Sequence, residues 1–327
     1  MGNINIRKMD DGGYKVFSQR KEGERLTFKF TPRQREEMVQ CFGELFTDSL
    51  SVRLADYAER WRLTNITLIE YYSVNCLFTC YSEHYGDCVL KIFGADYEWY
   101  IGEIRALREF NGQCRYVRAY ECDEELGALL LERILPGTTL KMEPSIERRM
   151  NIFMDIWRNS HLAPHDILLY KSYLQTAEEA AEKTWACGEN SELRRAAMLM
   201  ISACRNLYDR YAPRLLLHGD LHGDNLLKNV NGDYRIVDPH ARIGPPICDL
   251  GRCIANEFGD SGKENSASVT KFVISRLSDS LKLPRDDVIR AFFVDITLMT
   301  CWDAEDGTVN LDGIIFAEKL LRFGLSI

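Results

Sequence analysis

Apolar positions along this chain follow two periods, and the period switches several times. Residues 32 to 46 and 48 to 62 repeat at the three- and four-residue spacing of amphipathic helices, while residues 14 to 30 predict a small hairpin and residues 64 to 93 three alternating strands. Helical spacing returns over 96 to 112, ahead of the apolar run Leu126 to Leu135. Pro136-Gly137 then punctuates the chain, which predicts an N-lobe over residues 1–133 and a C-lobe over 134–327. Beyond it, helices are predicted over 145 to 160, 164 to 186 and 190 to 211, short strands and loops over 214 to 240, and helices again from about 247 to the end. The expected architecture is α+β and bilobal: a small N-lobe with an antiparallel sheet plus helices, and a larger, mostly helical C-lobe.

Composition narrows the class. With 327 residues, 46% of them hydrophobic, the chain can bury a sizeable core in one large domain or two. A net charge of −8 argues against a nucleic-acid partner and suits a cationic one. Eleven cysteines are scattered without a Cys-x-x-Cys pair and read as reduced thiols. Residues 1–10 are polar and no apolar run approaches a membrane span, so no membrane partner and a cytoplasmic protein are expected.

Chemistry concentrates between Leu217 and Pro239. Phosphoryl transfer needs a carboxylate beside the acceptor hydroxyl and oxygen ligands that hold Mg²⁺ against nucleotide phosphates. Asp220 is the candidate base, Asn225 follows at the interval that supplies a metal-binding carbonyl, and Asp238 is the candidate metal carboxylate. Asn231-Gly232 signals a two-residue hairpin turn, and counting outward from it sets Asn225 opposite Asp238. Opposed residues have Cα atoms roughly 4.5 to 5.5 Å apart, so both side chains are expected to reach one cation. Taken singly, each of the three is an ordinary turn residue; the joint spacing is what points to a site.

A second pair lies upstream. In Cys88-Val89-Leu90-Lys91-Ile92-Phe93, alternation places Lys91 on an apolar strand face, either as a snorkelling lysine or as one that needs an anion. Trp99, Glu103, Ala106, Leu107 and Phe110 share one helical stripe, which turns Glu103 inward and makes it the expected partner of Lys91. The turn Tyr72-Ser73-Val74-Asn75-Cys76 has no glycine, and Ser73 and Asn75 are candidate phosphate donors or simple turn residues. The run Leu130 to Ile134 offers hinge backbone to adenine, at Glu132 and Ile134.

With Lys91, Glu103, the His218 to Asn225 loop and Asp238 in place, the chain resembles the aminoglycoside phosphotransferase family, over most of its length. Val89-Leu90-Lys91, Glu103-x-x-Ala106-Leu107-Arg108, Leu130-Leu131-Glu132-Arg133 and Ile236-Val237-Asp238-Pro239 look like its streptomycin and hydroxyurea phosphotransferase branch. The resemblance implies a protein-kinase-like fold and an ATP- and Mg²⁺-dependent kinase, with GTP as an alternative donor. It implies Asp220 as catalytic aspartate, Asn225 and Asp238 as metal ligands, and Lys91 with Glu103 as the phosphate-positioning pair. By the same resemblance His218 braces the catalytic loop and Asp249 hydrogen-bonds the loop backbone, unless Asp249 is a helix N-cap.

Two departures stand out. Asp224 sits where many members have glycine, and Gly219 sits where a regulated protein kinase has arginine, which implies constitutive activity. The implied acceptor is a small-molecule hydroxyl, led by streptomycin-like aminocyclitols and followed by a sugar, amino alcohol or nucleoside derivative. Asp303, Glu305 and Asp306, after Trp302, are candidate contacts for a cationic acceptor or a solvated helix end. From another class, a catalytically inactive nucleotide-binding regulator is the alternative, while a protein kinase lacks its Gly-rich loop and Asp-Phe-Gly motif here.

Overall fold

In the computed structural model, residues 5–8, 14–17, 28–69, 75–94, 97–111, 113, 115–185, 190–212 and 214–326 are described. They form two units, one of residues up to 112 together with 117–134, the other of 113–116 with 135–327.

The first unit starts with a hairpin, β1 (Asn5–Lys8) against β2 (Tyr14–Phe17), with Asn5 opposite Phe17. Of the hairpin expected over 14 to 30, Tyr14–Phe17 is a strand, and residues 18–27 lie outside the described residues. Helix α1 (Pro32–Phe42) opens with a reciprocal cap, in which Thr31 accepts the Gln34 amide and Gln34 accepts that of Thr31, with proline at the first position. It stops at Gly43, whose φ of +80° suits only glycine without strain, and α2 (Glu44–Arg60) begins at once. That glycine moves the break ahead of the position predicted by periodicity.

An antiparallel sheet in the order β3-β4-β5-β7-β6 follows, built from Leu63–Leu68, Asn75–Ser82, Gly86–Phe93, Ala128–Glu132 and Ala119–Asp123 for β3, β4, β5, β7 and β6. Its core gathers Met38, Leu50, Leu54, Tyr57 and Trp61 from the helices against Phe78, Leu90, Ile92 and Leu130 from the strands. Helix α3 (Tyr97–Phe110) buries Glu103, Ala106, Leu107 and Phe110 of the predicted inward stripe and Ile104 beside them, while the Trp99 side chain lies outside the described residues.

The second unit carries β8 (Pro136–Thr139), α4 (Ile146–Trp157), α5 (Tyr173–Lys183), α6 (Ser191–Arg210) and β9 (Leu215–Leu217). Then come β10 (Leu226–Asn229), β11 (Tyr234–Ile236), β12 (Arg242–Gly244), α7 (Cys248–Asp260), α8 (Gly262–Leu281), α9 (Arg285–Glu305) and α10 (Asp312–Phe323). Two small sheets, β11-β10-β8 and β12-β9, hold the loop between β9 and β10. The helix expected over 164 to 186 starts only at Tyr173. Ser172 and Gln175 form its capping box, and Asp166 caps a separate short turn over Ile167–Leu169. Among the described residues no helix is long and apolar enough to cross a membrane. The nine described cysteines are free thiols.

Candidate active site

In the first unit, Lys91 on β5 meets Glu103 on α3 at 2.6 and 2.8 Å, with both side chains buried. Two charges taken out of water are tolerable here because each supplies the other's counter-ion. The ammonium also lies 4.9 Å from the Phe93 ring centroid, over its electron-rich face.

Other first-unit candidates divide. Ser73 lies outside the described residues. Asn75 is the first residue of β4, opposite Phe93, rather than part of the turn, and its buried Oδ1 has no hydrogen-bond partner among the described residues. Glu132 ends β7, where its N–H is already donated to the Arg118 carbonyl and its Oε2 accepts the Arg118 amide. Ile134 is buried, and its backbone groups form no hydrogen bond among the described residues.

In the second unit, the segment from β9 to β10 is fixed from below. Asp249, in the first turn of α7, accepts the backbone N–H groups of His218 at 3.0 Å and Gly219 at 2.8 Å. His161 Nε2 lies 3.0 Å from the same carboxylate. The N-cap position is Ile247, so Asp249 serves the loop and not its own helix end. His218 is fully buried; its Nε2 donates to the Val237 carbonyl at 2.8 Å and its Nδ1 accepts the Asp220 amide at 3.1 Å. That arrangement requires the neutral ring, which burial favours by lowering its pKa.

Above this floor, the Asn225 amide nitrogen donates to the Asp220 carbonyl at 2.9 Å and to Asp220 Oδ2 at 3.1 Å. Among the described residues no hydrogen bond reaches Asn225 Oδ1. Burial alone raises a carboxyl pKa, yet His240, His222 and Arg252 around Asp220 outweigh it and hold this carboxylate far below its ordinary range. His222 Nε2 is 3.4 Å and His240 Nε2 3.7 Å from Oδ2, and Arg252 Nε is 3.2 Å from Oδ1.

The hairpin register differs from the predicted one by a residue. Leu226 pairs with Ile236, and the Val237 amide donates to the Asn225 carbonyl, so Asn225 faces Val237 and not Asp238. Asn229 causes the slip: its side chain accepts the amides of Asn231 and Asp233, closing a three-residue loop with Gly232 at φ +87°. Asp238 follows the strand at φ +61°, a left-handed turn uncommon outside glycine and found at functional sites.

Asp224, the departure beside Asn225, is 41% exposed and lies 3.3 Å from Lys141, which also reaches Asp260 at 2.9 Å. Its charge is thereby matched. Gly219 has φ +80°, and a Cβ there would lie 2.9 Å from Arg242 Cγ, so the Arg242 stem fills the space a side chain would need. Of the acidic trio at the end of α9, Glu305 pairs with Lys183 at 2.9 Å, while Asp303 and Asp306 are exposed. Trp302 lies under the Arg252 guanidinium, 5.4 Å from ring centroid to carbon.

The donor set suits a hard cation that shares phosphate oxygens. Among the described residues no cluster of three or more His, Cys, Asp or Glu forms a cage of its own. The amide carbonyl of Asn225 and the carboxylate of Asp238, which follows the residue facing it, match Mg²⁺, which keeps few protein ligands. Sequence reasoning missed Arg252, Asp295, Tyr173, His240, His161 and Lys141. Asp295 had a readable signal, an acid inside the apolar run of α9, the same kind of signal that picks out Glu103.

Comparisons with known proteins bear on the family and the fold. The sequence model of the phosphotransferase enzyme family matches residues 83–269. Streptomycin 6-kinase of Streptomyces griseus is 25% identical over 227 residues, 66% of this chain and 71% of that protein. Choline kinase LicA of Streptococcus pneumoniae superposes with a TM-score of 0.60 at 17% identity, covering 85% of this chain and 99% of its own. An aminoglycoside phosphotransferase, APH(4)-Ia, solved with ADP and hygromycin B, superposes with a TM-score of 0.58 at 13% identity, covering 85% and 98%. At these identities the structural likeness is one of fold, the bilobal protein-kinase-like α+β architecture.

Proposed function

Because this chain belongs to the phosphotransferase enzyme family, and is thereby a phosphotransferase, we propose that it is an ATP- and Mg²⁺-dependent kinase of a small-molecule hydroxyl. A streptomycin-like aminocyclitol is the leading acceptor. The observation that carries the reading is the Asp220 to Asn225 contact, which commits the amide nitrogen and leaves the carbonyl for a cation.

In this reading Asn225 and Asp238 hold Mg²⁺, which supplies charge neutralisation on the phosphates. Lys91, fixed by Glu103, binds phosphate oxygens, and the backbone at Ile134 meets the adenine edge. Asp220 orients the acceptor hydroxyl and takes its proton as the new O–P bond forms and the bond to the departing ADP oxygen breaks. Its strong preference for the ionised form leaves it ready to accept a hydrogen bond, so orientation outweighs proton affinity. Asp249 and His218 keep the loop in place throughout.

Streptomycin is favoured by the curated relative, at 25% identity. Asp303 and Asp306 suit a cationic acceptor, whereas Glu305 is already spent on Lys183. Free thiols and ATP dependence fit a cytoplasmic setting. The test is Mg-ATP-dependent phosphorylation, followed by mass spectrometry, over streptomycin, other aminoglycosides, sugars and amino alcohols, with Asp220→Asn as control. A phosphorylated product that falls by about 10² to 10⁴ in rate with Asp220→Asn is expected. ATP binding without turnover of any acceptor would point to the nucleotide-binding regulator instead.

A further inference from the structure

Beneath Asp220 lies a buried chain of charges to which no role has been given. Arg252 on α7 places Nε 3.2 Å from Asp220 Oδ1 and 2.8 Å from Asp295 Oδ1 on α9. Tyr173 on α5 donates its hydroxyl to Asp295 Oδ2. The side chains of Arg252 and Asp295 are only 10% and 1% exposed, so neither charge is relieved by water. Trp302 covers one face of the guanidinium.

The backbone is shaped to allow this meeting. A Cβ on Gly251 would fall 2.4 Å from the Ala291 carbonyl oxygen and 2.8 Å from Asp295 Cβ. Only glycine lets α7 approach α9 this closely, and the next residue on α7 is Arg252. Yet the pairing is not saturated: among the described residues Arg252 Nε and Nη2 and Asp295 Oδ1 make no aligned hydrogen bond. One guanidinium nitrogen is held between two carboxylates and aligned with neither.

We propose that Arg252 is a positioning residue for Asp220, and that Asp295 is its counterweight. Arg252 engages Oδ1, so that the Asp220 carboxylate is fixed in rotation with Oδ2 turned to Asn225 and the acceptor side of the loop. Asp295 draws the same nitrogen the other way and keeps Arg252 from collapsing into a full ion pair that would occupy Asp220. The inference rests on Asp220 acting as proposed above.

The experiment uses the full chain, ADP release from Mg-ATP in the presence of streptomycin, and a thermal melt for each variant. Arg252→Met alone strands a buried Asp295, so Arg252→Met/Asp295→Asn is made beside it to remove the pair together. The expected result is a double variant that melts near wild type and binds Mg-ATP normally but loses about ten- to a hundredfold in kcat, with KM little changed. Arg252→Lys should recover part of that loss, and adding Arg252→Met/Asp295→Asn to Asp220→Asn should change the residual rate less than about twofold. A folded double variant with wild-type kcat, or losses that multiply in the Asp220→Asn background, overturns the proposal. Wild-type turnover by Asp220→Asn itself would instead overturn the reading beneath it.

Discussion

Lys91 and Glu103 meet at 2.6 Å with their side chains only 5% and 8% exposed. The first prediction follows from that burial. Lys91→Met leaves a buried carboxylate without its counter-ion and should cost about 3 to 5 kcal/mol of stability. Lys91→Met/Glu103→Leu should recover most of it, while ATP affinity stays weak in both variants. Thermal melts with calorimetric ATP titration separate the two effects; a double variant as unstable as the single would show that the pair is not the source.

Asp249 anchors two consecutive amides of the segment between β9 and β10. Hydrogen bonds to a charged acceptor are worth about 1.5 to 3 kcal/mol each, so Asp249→Ala should free the loop well before the rest of the unit. Hydrogen exchange at His218 and Gly219 should accelerate, and kcat should fall with it. Unchanged protection at both amides would remove Asp249 from this role.

Metal binding should discriminate between neighbours. Asp224 is half-exposed and matched by Lys141, so Asp224→Asn should change the Mg²⁺ requirement less than about threefold, as for an exposed ion pair. Asn225→Ala and Asp238→Asn should raise it far more. Equal effects at all three positions, in Mg²⁺ titrations at fixed ATP, would contradict the ligand assignment.

His240 gives a pH signature. Burial outweighs the attraction of Asp220 and Asp238 and pushes its pKa down to about 4. An ordinary histidine protonates near 6.5. Between those values the unfolded chain binds the proton and the folded one does not, so stability rises with pH across this window and is lost as pH falls from about 6.5 towards 4. Denaturant midpoints of wild type and His240→Gln should converge on acidification if the wild type carries this penalty; parallel curves would rule it out.

Much of this arrangement was legible in the chain because local chemistry is strong where it matters. The Asp220 to Asn225 interval, the inward stripe carrying Glu103 and the separation into strand-rich and helical parts all follow from spacing. The hairpin register did not, because Asn229 closes the turn with its own side chain and so makes a three-residue loop of what reads as a two-residue one. The start of α5 was hidden for a similar reason, since Ser172 and Gln175 cap a helix inside a stretch that is periodic further upstream. Arg252 and Asp295 lie 43 positions apart and acquire meaning only once Gly251 has let their helices touch.

Gly219 also bears on what this enzyme can become. An arginine at 219, the residue that would answer a phosphate on a neighbouring loop, would have to take up a left-handed backbone and evict the Arg242 stem at the same time. The loop geometry thus opposes that one substitution twice over, through its backbone and through its neighbour.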